Sequence, residues 1–226
     1  MREVVIDTET TGLSYKTGDR VIEVGCVELV NHVATNNTLQ FYCKVDKEIS
    51  EGAQKITGIT NRFLNDKKYF NDNCDKLLKF ISNDPLIIHN ADFDVGFLNN
   101  ELSILGRPKL SNPVIDTVTL ARRVLNTRVA NLDYLCRRFK VDLSERDLHG
   151  ALLDSRLLAE VYLELKGGKQ FTMNLSKNNK EKIKEQNTKA NNQKTIIRYI
   201  PNEEDITSHK EMISKIKQPI WKKYNY

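Results

Sequence analysis

No stretch of this 226-residue chain approaches the roughly 20 consecutive apolar residues of a membrane-spanning helix, so a transmembrane protein is not expected. The opening residues, REVVID from Arg2 to Asp7, already read as a strand and leave no room for a signal peptide. Cysteine is sparse: Cys26, Cys43, Cys74 and Cys136 are far apart and each has apolar neighbours. That spacing disfavours a disulfide frame or a zinc site and predicts reduced core thiols in a cytoplasmic protein. Net positive charge is also missing from most of the chain. Residues 1–175 carry a net −1, whereas residues 176–226 carry +6 of the total +5. A near-neutral body with a basic tail does not bind nucleic acid by bulk charge alone.

Against those absences stand four acidic segments. They are DTETTG (Asp7–Gly12), HNADFD (His89–Asp94), VIDT (Val114–Thr117) and HGALLD (His149–Asp154). Asp7 and Glu9 are two residues apart at a strand end, a spacing that puts both carboxylates on one face. Thr10, Thr11 and Gly12 follow, small residues that would let a substrate approach the backbone. Asp92 and Asp94 both open a helix, and either could join the site or complement the helix dipole. His149 and Asp154 are five apart, about 140° around a continuous helix. Gly150 therefore predicts His149 in the preceding loop and Asp154 on an early helical turn. Asp116 reads as an N-cap, His89 as support beneath the site, and His32 and His209 as ordinary surface residues. Four carboxylates and a histidine suit a two-metal phosphodiester hydrolase, in which the histidine takes a proton from water.

The pattern around these motifs predicts an α/β fold. Strands are expected at Glu3–Asp7, Arg20–Leu29 and Thr38–Val45, the last two separated by a polar break at Ala34–Asn37. Phe70, Cys74, Leu77, Leu78 and Ile81 form one helical stripe. Pro85–His89 and Val114–Asp116 read as further strands. Helices are expected at Asp92–Leu105, Thr117–Leu125, Asn131–Phe139 and Gly150–Leu165. A strand meander followed by strand–helix alternation argues a mixed five-stranded sheet with helices packed on it. From Ser176 to Gln193 the sequence is polar and aperiodic, as in a solvated linker. Beyond it lie an apolar piece (Thr195–Ile200), an amphipathic helix candidate (Asn202–Lys217) and PIWKKYNY. These thirty or so residues cannot bury a core alone, and their aromatics suggest docking onto a partner.

DTETTG, HNADFD and HGALLDSRLLAEVYL resemble the three exonuclease motifs of the DEDD superfamily, in its catalytic-histidine subgroup. NLDYLCRRF and LHGALLDSRLLAEVYLELKGG bring the resemblance closer, to the proofreading (epsilon) subunit family of bacterial DNA polymerase III. It spans residues 1 to about 168, taken as the exonuclease domain (1–168), followed by a clamp-peptide and linker segment (169–194) and a docking tail (195–226). The resemblance implies a ribonuclease H-like fold and 3′→5′ removal of nucleotides from DNA. It further implies two Mg²⁺ or Mn²⁺ ions on Asp7, Glu9, Asp94 and Asp154, with His149 as general base. Asp7, Glu9, Thr10, Thr11, Gly12, Leu13, Thr57 and Asp154 would contact the 3′-terminal nucleotide, Leu13 wedging against the bases. Many relatives carry His where this chain has Thr57. Gln170, Met173 and Leu175 fall in a hexapeptide similar to sliding-clamp ligands. The tail stands where the family carries its tether to the polymerase catalytic (alpha) subunit, and a small accessory subunit is a further candidate partner. The rivals are a stand-alone enzyme acting on RNA ends or repair DNA, and a non-catalytic scaffold between polymerase and clamp.

Overall fold

The computed structural model describes residues 1–144, 146–168 and 202–216. The clamp-like peptide at Gln170, Met173 and Leu175, the linker and most of the tail lie outside these residues. The chain divides into two units, Met1–Met173 and Asn174–Tyr226.

The first unit is built on one strand, β1 (Arg2–Thr10), whose Val4, Val5 and Ile6 are all fully buried. A strand apolar on both faces belongs at the centre of a sheet covered on both sides. β2 (Val21–Val30) pairs antiparallel with β1, and β3 (Val33–Tyr42) pairs antiparallel with β2. Two short helices follow, α1 (Glu51–Thr57) and α2 (Asn61–Leu64), then α3 (Phe70–Ile81). β4 (Leu86–Ile88) joins the other edge of β1 in parallel, and α4 (Ala91–Ile104) follows it. β5 (Val114–Asp116) pairs parallel with β4 and leads into α5 (Thr117–Leu125), α6 (Leu132–Phe139) and α7 (Ala151–Leu165). The sheet order is β3-β2-β1-β4-β5.

Strand alternation sorts the core into two layers. Val4, Ile6, Val24 and Cys26 pack with Phe70, Leu77, Phe97 and Leu98 from α3 and α4. Val5, Val27 and Leu29 pack with residues of α5, α6 and α7, Tyr162 among them. Odd-numbered β1 residues thus face α7, which turns Asp7 and Glu9 toward that helix. At Gly25 the helix meets β2 so closely that a Cβ would lie 2.2 Å from the Ala151 carbonyl carbon. The Ser155 hydroxyl donates to the Gly25 carbonyl oxygen at 2.9 Å and holds the two together.

Three expectations need correction. The polar run Ala34–Asn37 lies inside β3, and the chain reverses earlier, at Asn31 and His32, both with positive φ. β3 is an edge strand, so it tolerates a polar stretch that its composition alone reads as a break. The helices α1 and α2 were not expected, because neither is long enough to show periodicity; Ser50 and Thr60 cap them instead. His32 is no ordinary surface residue: its Nδ1 lies 2.6 Å from the carboxylate of the buried Glu3, whose other oxygen accepts from the Tyr162 hydroxyl at 2.8 Å.

All four cysteines are buried, unpaired thiols, each pushed above its ordinary pKa by burial. Among the described residues no helix is long and apolar enough to cross a membrane. In the second unit α8 (Glu203–Ser214), capped by Asn202, exposes Ile206 and Met212, with Ile216 just beyond its end.

Candidate active site

β1 sends its chain to β2 on one side and has β4 on the other, so the sheet changes direction at the carboxyl end of β1. Ligand sites in open α/β sheets form at such points. Asp7 and Glu9 sit there, and the β1–β2 register shifts just after Glu9, a bulge that ends the regular pairing. α4 begins immediately beyond β4 and delivers Asp94, 3% exposed, whereas Asp92 points to solvent. The Thr8 N–H and hydroxyl donate to Asp94 Oδ1 at 2.9 and 2.6 Å, fixing the carboxylate against β1.

α7 supplies the remaining acid. Gly150 precedes it without a side-chain cap, and Glu23 of β2 takes over that role by accepting the Ala151 N–H at 3.2 Å. Asp154 is buried on the first turn, and His149 lies in the preceding loop with its side chain 46% exposed. The loop is pinned by His149 N–H donating to the Ile56 carbonyl at 3.0 Å, at the end of α1. The tip of Leu148 rests over Gly58, whose φ of +72° favours glycine. Ligand atoms of Glu9, His149 and Asp154 all lie within 4.8 Å of one another, a set able to hold a metal ion.

This concentration of acid is electrostatically costly. Asp7 is raised well above the ordinary carboxyl range by burial and by repulsion from Asp94, Glu9, Asp154 and Glu23. Burial, then Asp154, push Glu9 up to about 8, partly opposed by His149. Asp94 rises to about 7 through burial, despite its hydrogen bonds from Thr8. Such carboxylates bind protons in place of cations, and hard cations with oxygen preference are the charge that would release them. Asp154 is the exception. Burial would raise it, but hydrogen bonds from His149 and Arg146 outweigh that and hold it low. The same Asp154 contact raises His149, against burial and the nearby Arg146.

Arg146 is the residue that the sequence reading missed. Its guanidinium donates to both Asp154 oxygens, at 2.6 and 2.8 Å, and pairs with Asp133 as well. The same group comes within 3.1 Å of His149 Nδ1. Glu23 was missed too, although it stands directly opposite Glu9 in the β1–β2 register. The only available signal was indirect: five acids in one site require a cation nearby, and Arg146 is three residues before His149.

Two recesses flank the carboxylates. One, of about 250 Å³, is lined by Thr8, Glu9, Thr10, Leu13, Thr57 and Phe93, among others. Leu13 is 88% exposed at its rim. The other, of about 580 Å³, runs from Asp7, His149 and Asp154 to Val129, Tyr134 and Arg137. His89 opens onto this second recess and contacts Thr117 Oγ1 at 2.9 Å, so it lies beside the site and not beneath it. Asp116 caps α5 by accepting the Val118 N–H at 2.9 Å.

The DTETTG loop departs from expectation at Thr11, whereas Gly12 borders the smaller recess. Thr11 is fully buried, its hydroxyl donating to Asp19 at 3.1 Å, so its side chain is turned away from the recess. Gly12 is required by Asp19 as well, whose carboxylate would lie 2.5 Å from an added Cβ. Thr11 serves a buried acid that shapes the loop, and Gly12 both clears that acid and borders the recess. The Thr57 hydroxyl donates to the Ala53 carbonyl oxygen at 2.9 Å and accepts from Ile59 N–H.

Comparison with solved structures places this fold in a class. The chain superposes on Exonuclease X in complex with 5′ overhanging duplex DNA (TM-score 0.59, 24% identity, 73% of this chain and 91% of that one). It also superposes on the nuclease domain of 3′hExo, a DEDDh family member (TM-score 0.64, 18% identity, 73% and 91%). These show a ribonuclease H-like exonuclease fold. Residues 4–162 match the exonuclease family RNase_T. DNA polymerase III subunit epsilon of Rickettsia felis is 45% identical over 224 residues, 96% of this chain and 97% of the relative. The same subunit of Buchnera aphidicola subsp. Acyrthosiphon pisum is 39% identical, covering 91% of each. The chain belongs to the exonuclease family and, within it, to the DNA polymerase III epsilon subunits. Members of this family depend on divalent metal ions, and the Glu9, His149 and Asp154 group fits one.

Proposed function

We propose that this chain removes nucleotides from the 3′ end of newly made DNA as the proofreading subunit of a bacterial replicative polymerase, working in the cytoplasm and releasing nucleoside 5′-monophosphates. The observation that carries this is the meeting of Asp7, Glu9, Asp94, Asp154 and His149 at the carboxyl end of β1, in a chain aligned with epsilon subunits over nearly its full length. Asp7, Glu9, Asp94 and Asp154 would hold two Mg²⁺ or Mn²⁺ ions. When bound, the ions supply Lewis acidity toward water and toward the phosphate and its departing 3′ oxygen.

The protein's own groups do the rest. His149, exposed toward the larger recess, accepts the proton of the attacking water. Asp154, 3.2 Å from its Nδ1, orients the ring and stabilises the imidazolium that results. Glu23 and Gly25 set the depth at which α7 presents Asp154. The smaller recess takes the terminal nucleoside, with Phe93 and Thr57 in its wall and Leu13 placed to part it from the duplex. Thr10 lines the recess while its hydroxyl donates to the Gly12 carbonyl oxygen at 2.6 Å, holding the loop in shape. A mismatched end costs less to unstack, so it enters more readily.

Residues 1–168 form the catalytic part in this reading. Residues 170–175 dock on the sliding clamp, the linker to 194 allows reach, and residues 195–226 tether the polymerase catalytic subunit. The exposed Ile206, Met212 and Ile216 of the α8 region are consistent with such a contact. The test is digestion of a 3′-labelled primer–template, paired or mismatched at its end, with Mg²⁺ or with EDTA. Cation-dependent release, faster from the mismatch, is expected. Release from oligoribonucleotides alone would favour the stand-alone RNA enzyme, and no release from either would leave the scaffold.

A further inference from the structure

The segment from α5 through α6 carries a concentration of charge that the catalytic site does not use. Arg122, Arg123, Arg128, Arg137, Arg138 and Lys140 are all exposed, and Asp133 is the single acid among residues 122–140. Asp133 is itself committed to Arg146. Among the described residues none of the six cations makes an ion pair, and Arg138 has only a 3.4 Å contact with the Tyr134 hydroxyl. Unpaired cations of this density, on a body that is otherwise near neutral, are arranged for an anion outside the molecule.

The cavity shows which anion. Val129, Tyr134 and Arg137 line the same recess as Asp7, His149 and Asp154, so of the six cations Arg137 opens onto the space that holds the carboxylates. The terminal nucleoside has its own recess on the other side of Glu9. A cationic groove with an aromatic ring set in it is the general form of a single-strand platform: the cations follow phosphates and the ring stacks on a base of any sequence.

We propose that the α5–α6 lip is the track for the DNA strand behind its 3′ end, with Arg137 holding a backbone phosphate, Tyr134 stacking a base, and Arg128 and Arg138 extending the charge along the strand. This rests on the nuclease reading above and adds to it a surface outside the carboxylate cluster. The lip also answers an electrostatic difficulty, because a site of crowded carboxylates repels a polyanion and a cationic approach offsets that repulsion. An acidic protein surface is the other anion such a lip could meet, and the experiment separates the two.

Hydrolysis is measured on the p-nitrophenyl ester of thymidine 5′-phosphate, which has no strand, and on single-stranded oligodeoxynucleotides of two to ten residues across a salt series. Arg137 is exposed and its side chain makes no hydrogen bond or ion pair among the described residues, so Arg137→Gln tests the surface cleanly. It should raise KM for the decamer about tenfold and reduce the salt slope by about 0.7, one phosphate contact. Tyr134→Ala should raise the same KM about tenfold without changing the slope, and Arg137→Lys should restore most of the slope. The losses should shrink as the strand shortens and fall below twofold on the ester. Equal losses on ester and decamer would overturn the proposal, since the residues would then support the chemistry. So would an unchanged KM on the decamer, which would assign the lip to a protein partner. A wild-type chain inert on both substrates would instead overturn the nuclease reading itself.

Discussion

Glu9→Gln should stabilise the cation-free protein at neutral pH while destroying its ability to bind cations. The carboxyl of Glu9 moves from 4.5 to about 8 on folding, mainly through burial and then through Asp154. A folded-state pKa above the unfolded one means that the folded form holds its proton longer. The stability tied to that proton is complete below pH 4.5 and is lost as pH rises to about 8. Each unit corresponds to ~1.4 kcal/mol, so the loss at pH 7 is roughly 3 kcal/mol. Glutamine cannot ionise and avoids it. For a chain of this size the variant should therefore melt roughly 6–12 °C above wild type at pH 7 in EDTA, and nearly together with it at pH 5. Circular dichroism melts at the two pH values read this directly. Saturating Mn²⁺ should reverse the order, because a cation at a thousandfold its Kd adds about 4.1 kcal/mol to the wild type and little to the variant. A variant that melts with wild type at pH 7, or gains as much at pH 5, would show that Glu9 is not held in a repulsive cluster.

Further substitutions test the site's other parts. Asp7→Ala should abolish cleavage with an unchanged far-ultraviolet spectrum, since removing one crowded acid relieves repulsion; wild-type turnover would sink the metal assignment. His149→Ala should lower kcat by about 10²–10⁴-fold while Mn²⁺ still binds, and calorimetric loss of Mn²⁺ binding would make it a ligand and not a base. Arg146→Met removes the cation that now satisfies both Asp154 oxygens, so an electron-spin-resonance titration should show Mn²⁺ binding about tenfold tighter; weaker binding would mean that Arg146 serves to position Asp154. Gly25→Ala puts a Cβ 2.2 Å from the Ala151 carbonyl carbon, so urea unfolding should show a loss of about 3 kcal/mol or more together with lost activity, and a wild-type midpoint would refute the close packing.

What could be read from the sequence was what local chemistry determines. The alternation of β1 placed Asp7 and Glu9 on one face, and Gly150 separated His149 from the helix bearing Asp154; both are consequences of backbone period within a few residues. Asp92 and Asp94 could not be separated that way, since each lies on the first turn of α4. Only the contact with Thr8, 86 residues away in sequence, draws Asp94 inward. The same limit hid Arg146, Glu23 and Asp19. Arg146 is a plain charged residue in a loop until Asp133, His149 and Asp154 surround it. Glu23 sits in a strand where an acid is merely unfavourable, and its use as the cap of α7 depends on a helix 128 residues further on. Asp19 explains Gly12 by filling the space above it. The candidate ligands were legible because metal chemistry restricts such groups to a few residue types at short spacings. Their supports were not, because any residue that offers the right charge at the right place can serve, and that place is defined only once the sheet has closed around it.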